Sequence, residues 1–205
     1  AAYILSKLQG TKGLVQGMSY WTYTDLFEEP GPQNKPFGGG FGLMNPQGVR
    51  KGPYFSYKYL HALTGKEIPV QDAQVMAAAD GKAVRAVLWD FQQPKQDLSN
   101  RSFYSRVQPA MPSAPAAVQF RNAQAGKYRL QVRRTGFKAN DAYTAYLEMG
   151  APDKLTPAQL EQLNAATRDL PETDRVVTVG KSGTFSFKLP MRSNDVVLVT
   201  LEPAK

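Results

Sequence analysis

Cysteine is absent from the 205 residues. That excludes disulfide scaffolds, thiolate zinc sites and cysteine nucleophiles, without naming a compartment. Histidine occurs once, at His61. A Ser-His-Asp triad would have to use it, and a multi-histidine metal site is excluded. No apolar run is long enough to span a bilayer, and no basic start leads into an apolar stretch. Neither a membrane partner nor a signal peptide is therefore read. Concentrated positive charge is missing as well. The net charge is +8, yet the longest basic run is Arg133-Arg134. Residues 1–64 carry six basic and three acidic side chains, and residues 65–205 carry nineteen and fourteen. Nucleic-acid binders gather charge into a patch or stripe, so no nucleic-acid partner is expected.

What is present is ordinary globular material. Apolar residues make up 42% and aromatic residues 11%, enough for a packed core and too much for disorder. The character changes near residue 65. Before it, Tyr3, Ile4, Leu5 and Leu8 read as one face of a helix over Ala1 to Leu8, closed by Gly10 and Gly13. Leu14 to Trp21 reads as a buried strand. A long loop follows from Thr22 to about Gln47, rich in Pro and Gly; loops of that length are usually functional or disordered. Pro53 then opens a helix over Tyr54 to Leu63, stopped by Gly65.

After residue 65 the pattern is short strands. Ile68 to Ala73 reads as a linker. Val75 to Ala79 and Ala83 to Phe91 flank Asp80-Gly81, a hairpin signal. Gln92 to Ala117 is expected to be irregular. Tyr128, Leu130 and Val132 alternate with Arg129, Gln131 and Arg133, which predicts a half-buried strand. Further strands are expected at Tyr143 to Met149, Arg175 to Val179, Thr184 to Leu189 and Asp195 to Leu201. Val196 to Val199 is apolar on both faces, which predicts a central strand. One helix interrupts the series, with Thr156 as N-cap, Pro157 first and Gln159 completing a capping box. The expected architecture of residues 66–205 is mostly β, a β-sandwich with one inserted helix.

One segment combines residue types suited to chemistry: Ser19-Tyr20-Trp21-Thr22-Tyr23-Thr24-Asp25-Leu26-Phe27-Glu28-Glu29. Aromatic faces pack on the C–H face of a pyranose, and carboxylates accept hydrogen bonds from hydroxyls. The plainer alternative is a core Trp followed by a solvated acidic loop. Glu28 and Glu29 do not make a catalytic pair by themselves. A retaining glycosidase needs two carboxyls about 5 Å apart that converge on one bond, whereas neighbours in extended backbone point to opposite sides. Gly38-Gly39-Gly40-Phe41-Gly42 lacks the Lys-Ser or Lys-Thr of a phosphate loop and reads as a tight turn anchored by an aromatic. His61 and the Tyr54, Phe55, Tyr57, Tyr59 cluster read as structural.

The string Ser19-Tyr20-Trp21-Thr22-x-x-Asp25-x-Phe27-Glu28-Glu29, then Phe41-Gly42-Leu43 and the aromatic helix, resembles the C-terminal end of family-39 glycoside hydrolases. These are retaining β-xylosidases and relatives. Gly126 to Val132, Asn140 to Tyr143 and Leu189 to Val196 are similar to the sandwich of the bacterial members. The resemblance implies that residues 1–65 are the end of an incomplete (β/α)8 barrel: its seventh helix, eighth strand, long loop and eighth helix. The sandwich, residues 66–205, would follow. Trp21 and Glu28 are then implied to contact sugar, with Phe27 and Glu29 as weaker candidates. The implied substrates of the parent are xylosides or xylo-oligosaccharides.

The resemblance also implies what is missing. The acid/base glutamate of an Asn-Glu-Pro motif and the nucleophilic glutamate would both precede Ala1, so no catalytic residue is assigned. Such a barrel needs about 250 residues. The chain is therefore expected to be a C-terminal fragment, inactive alone, whose partner is the missing barrel segment. No cofactor or metal is implied. The alternative is a noncatalytic sandwich that binds carbohydrate or supports a homo-oligomer. Residues 1–64 are expected to need the sandwich or another chain to pack on. The compartment is left open.

Overall fold

A computed structural model describes residues 1–26 and 33–204. Eight strands form two sheets. They are β1 (Lys66–Ile68), β2 (Val75–Asp80), β3 (Ala83–Trp89), β4 (Pro112–Phe120), β5 (Gly126–Thr135), β6 (Thr173–Val179), β7 (Phe185–Arg192) and β8 (Val196–Pro203). Six lie in one antiparallel sheet of order β1-β2-β3-β8-β5-β6; β4 and β7 pair as a second sheet. The β2–β3 hairpin turns where Asp80-Gly81 stands, with Asp80 opposite Ala83 and Gly81 at φ +59°, a conformation that suits glycine. The doubly apolar run of β8 is central, between β3 and β5, and Val196 to Val199 are all buried. Tyr128, Leu130 and Val132 of β5 face the second sheet and pack with Phe120, Leu189 and Met191.

The other face of the large sheet is covered by two helices, α1 (Ala2–Gly10) and α2 (Gly52–His61). Leu5, Phe55 and Tyr59 pack there against Val87, Trp89, Val196 and Leu198. Burying each such side chain stabilises by about 1.5–3 kcal/mol. The beginning of the chain thus packs on the large sheet. Tyr59 donates to Asp169 Oδ1 at 2.7 Å, and Lys58 pairs with Asp169 Oδ2 at 2.7 Å. Burial, and then the Asp169 carboxylate, push the Tyr59 hydroxyl well above its ordinary pKa. His61 ends α2 and is exposed.

Several elements differ from the sequence reading. Three short helices, not one, are inserted in the β region: α3 (Asn100–Tyr104), α4 (Ala142–Glu148) and α5 (Pro157–Ala166). Helix α5 carries the capping box read at Thr156 and Gln159. Helix α4 replaces the strand expected over Tyr143 to Met149. Asp141 caps it by accepting from the Thr144 amide at 3.0 Å, and Ala142 and Tyr146, one turn apart, are both buried. The segment expected to be irregular holds α3 and the start of β4. Pro112 and Pro115 are tolerated because β4 pairs only with β7 and its register shifts between Ser113 and Ala116. The expected linker begins with Ile68 in β1.

The largest difference is at Leu14 to Trp21, where no strand forms. Leu14, Val15 and Met18 are exposed, and Lys12–Val15 is the segment's isolated bridge. A strand needs a neighbouring strand for its amides and carbonyls; here the segment has the Lys12–Val15 bridge and a turn bond from the Leu14 amide to the Thr11 carbonyl at 2.9 Å.

Candidate functional site

The segment read as chemically suited begins at Trp21, which is 65% exposed, with a cis peptide bond to Thr22. Tyr23, Leu26 and Phe41 are exposed too. Between them lies an opposite environment. Asp25 is only 1% exposed, and a carboxylate so buried is costly unless paired. It accepts from the Gly42 amide at 2.6 Å and from Lys51 Nζ at 2.9 and 3.0 Å. Lys51 Nζ also donates to the Gly40 carbonyl at 2.7 Å. One buried ion pair therefore ties together the chain after Trp21, the glycine turn and the residue that caps α2.

The backbone reinforces this clamp. Leu43 N–H donates to Thr22 O at 3.0 Å, Met44 N–H to Tyr23 O at 3.1 Å, and Asp25 N–H to Met44 O at 3.1 Å. The close approach explains Gly42. A Cβ there would lie 2.5 Å from both the Asp25 nitrogen and the Thr24 carbonyl carbon. That is the tight packing expected of the glycine-rich turn, now located at one residue. Beyond it, the buried Asn45 side chain accepts from the Val49 amide at 2.8 Å and the Gln47 amide at 3.1 Å.

The far side of the loop rests on α4 and α5. Val49 is buried with Ala142, Tyr146 and Leu163. The Phe37 ring lies 4.9 Å from that of Tyr146 and 5.8 Å from that of Tyr143. Arg50 donates to the Thr167 carbonyl at 3.1 Å. On the near side, the Tyr20 and Tyr57 rings are 5.6 Å apart. Burial, and then Tyr57 and Asp25, raise the Tyr20 hydroxyl pKa above its ordinary value. Exposed aromatic side chains thus stand on a base whose polar groups are internally satisfied. The base can present a flat apolar face to a ligand. Asp25 is engaged in holding it and is not placed to transfer protons.

Of the four residues singled out in sequence, Trp21 is exposed on this base. Phe27, Glu28 and Glu29 lie outside the described residues. Sequence reasoning missed Asp25 and Lys51 as a pair. Twenty-six positions separate them, and no local pattern links a carboxylate in an aromatic run to the lysine heading a helix. Among the described residues, no three His, Asp or Glu side chains gather as a metal site.

The sequence pattern of glycosyl hydrolases family 39 matches residues 1–184. The chain belongs to that family. It is 28% identical over 203 residues to a β-xylosidase of Caldicellulosiruptor saccharolyticus, a match that takes in 98% of this chain and 40% of the relative. Among solved structures, the GH39 enzyme from Xanthomonas axonopodis pv. citri is 57% identical, with a TM-score of 0.96 over 99% of this chain and 40% of the other. A monomeric β-xylosidase from Caulobacter crescentus CB15 is 53% identical, with a TM-score of 0.95 over 100% of this chain and 41% of the other. The chain thus spans about 40% of the length of these family-39 relatives.

Proposed function

We propose that the chain is the C-terminal part of a retaining β-xylosidase and supplies its sugar-contacting edge. Trp21 provides the aromatic face for the C–H side of a xylose ring, and Glu28 accepts hydrogen bonds from its hydroxyls; Phe27 and Glu29 are adjacent candidates. The two catalytic glutamates lie on chain that precedes Ala1, so the 205-residue protein does not hydrolyse xylosides alone. Residues 1–65 complete a barrel, and Leu14 to Trp21 becomes its eighth strand when the missing segment supplies neighbours. The observation that carries this reading is an exposed Trp21 held on a clamped base. A large exposed aromatic on a fixed support is what sugar stacking requires. The β-xylosidases among the relatives support the choice of substrate.

A noncatalytic carbohydrate-binding sandwich would need an aromatic platform on its strands. Trp89, Phe120 and Tyr128 are buried instead. The test is hydrolysis of p-nitrophenyl β-D-xyloside by the 205-residue protein and by a longer version carrying the preceding residues. The expected result is turnover by the longer protein only, with KM raised about tenfold or more by Trp21→Ala. Turnover by the short protein, abolished by Glu28→Gln, would overturn the assignment.

A further inference from the structure

Helix α2 is held on the sandwich in two ways. Phe55 and Tyr59 pack its apolar face on the large sheet. Apolar contact is non-directional, so it sets depth better than rotation or sliding along the axis. Directional contacts come from the turn between α5 and β6. Thr167 ends α5 and is buried, and its carbonyl accepts from Arg50, just ahead of α2, at 3.1 Å. Asp169 follows, with a side chain only 1% exposed. Its Oδ1 accepts from Tyr59 at 2.7 Å and from Asn140 Nδ2 at 2.9 Å, and its Oδ2 pairs with Lys58 at 2.7 Å. The turn therefore grips α2 before its first residue and again near its end.

The turn is itself fixed from behind. The Asp169 amide donates to Asn140 Oδ1 at 2.9 Å, so these two residues bond reciprocally. The Asp169 carbonyl accepts from Arg133 of β5 at 3.3 Å. Asp169 and Asn140 stand at φ +59° and +47°, a left-handed conformation that costs free energy even for Asp and Asn. Such backbone persists where the surroundings over-determine it.

A carboxylate buried this deeply is a poor source of stability. Desolvation offsets much of the attraction in a buried pair, and the best-attested use of such a pair is to fix register. The register of α2 matters at its other end. Lys51 heads the helix, seven residues or about two turns before Lys58. Lys51 is also the cation that closes on Asp25 and the Gly40 carbonyl, four residues after Trp21. A helix this short moves as one rigid body. A slide or rotation at Lys58 therefore shifts Lys51 away from its partners.

We propose that Asp169 is a positioning residue for the sugar-contacting edge. Through it the sandwich holds α2 in the register at which Lys51 closes on Asp25 and fixes the chain that carries Trp21. The sandwich then contributes to substrate binding without touching substrate. This rests on the reading of Trp21 as a sugar contact, and the tie from Asp169 to Trp21 is tested apart from that reading.

The 205-residue protein has two tryptophans, Trp21 and Trp89, so isotope labelling gives two indole N–H signals by NMR. Asp169→Asn removes the charge and keeps a side chain that tolerates the left-handed backbone. It is expected to move the Trp21 signal. Lys58→Met, at a side chain 46% exposed, should move it less, and carries the test alone if Asp169→Asn does not fold. Leu189→Ala loosens the sandwich core away from α2 and should leave the signal in place. No movement with either α2-side variant, or equal movement with Leu189→Ala, would overturn the tie. In the longer protein, Asp169→Asn should raise KM for p-nitrophenyl β-D-xyloside about fivefold with kcat unchanged. The same change should add nothing in a Trp21→Ala background, because the two act through one contact. A rise that persists in that background, or a loss in kcat alone, would overturn the role in binding. A KM left unchanged by Trp21→Ala would overturn the sugar reading and the role with it, whereas a Trp21 signal that stays in place overturns the tie alone.

Discussion

In the sandwich, Leu130, Val132, Val197 and Leu201 find apolar partners within the chain and are buried. In the stretch from Leu14 to Trp21, side chains of the same kind face solvent. Composition does not separate the two regions. Both carry apolar residues in runs that read as strands. They differ in whether a neighbouring backbone is present to accept the amides. Helices α1 and α2 make the point from the other side: each closes its own hydrogen bonds, so each forms and then docks through Leu5, Phe55 and Tyr59. A strand cannot do this alone. The Trp21 loop lies between these cases, fixed not by a core of its own but by one buried ion pair and the α4–α5 platform.

The comparison breaks most sharply at Phe55. Phe55→Ala should cost about 3–5 kcal/mol, measured by chemical denaturation. It should also loosen the helices from the sheet and shift Trp89 emission to the red. A smaller and more local effect is expected at the clamp. Lys51→Met leaves the Asp25 carboxylate buried with its Gly42 bond alone, at a cost of about 2–3 kcal/mol. Limited proteolysis should then cut the loop before the sandwich. Cleavage of the sandwich first would contradict the separation of the two regions.

The exposed strand faces should respond weakly and only to pH. Arg129 and Gln131 hold the Asp174 carboxyl at a pKa of about 2, below its ordinary 3.8. A carboxyl lowered by folding stabilises above its unfolded value and loses that contribution as pH falls toward the folded one. The melting-temperature gap between Asp174→Asn and the parent protein should therefore be largest above pH 4 and close toward pH 2. Leu14→Ser should change stability least of all, by about 0.5 kcal/mol or less, because Leu14 is 79% exposed.

Legibility from sequence followed the same division. The alternation of Tyr128 to Val132, the doubly apolar Val196 to Val199 and the Thr156–Gln159 capping box are local signals, and each was readable. Helix α4 was misread because Tyr143 to Met149 is mostly apolar and fits either period; its Asp141 cap was the overlooked sign. Strand β4 was hidden by Pro112 and Pro115, which only an edge position allows. At the candidate site, Trp21 was visible by type and context. The Asp25–Lys51 pair was not, because it joins residues brought together only by the fold. Leu14 to Trp21 carries the pattern of a strand without the partners that would make it one.

Native-state hydrogen exchange tests this account most directly. The account predicts that amides of β3, β8 and β5 exchange only on global unfolding, while those of Val15 to Tyr20 exchange at nearly unprotected rates. Protection of Val15 to Tyr20 equal to that of β8 would contradict it, since the segment would then be held in a sheet within this chain.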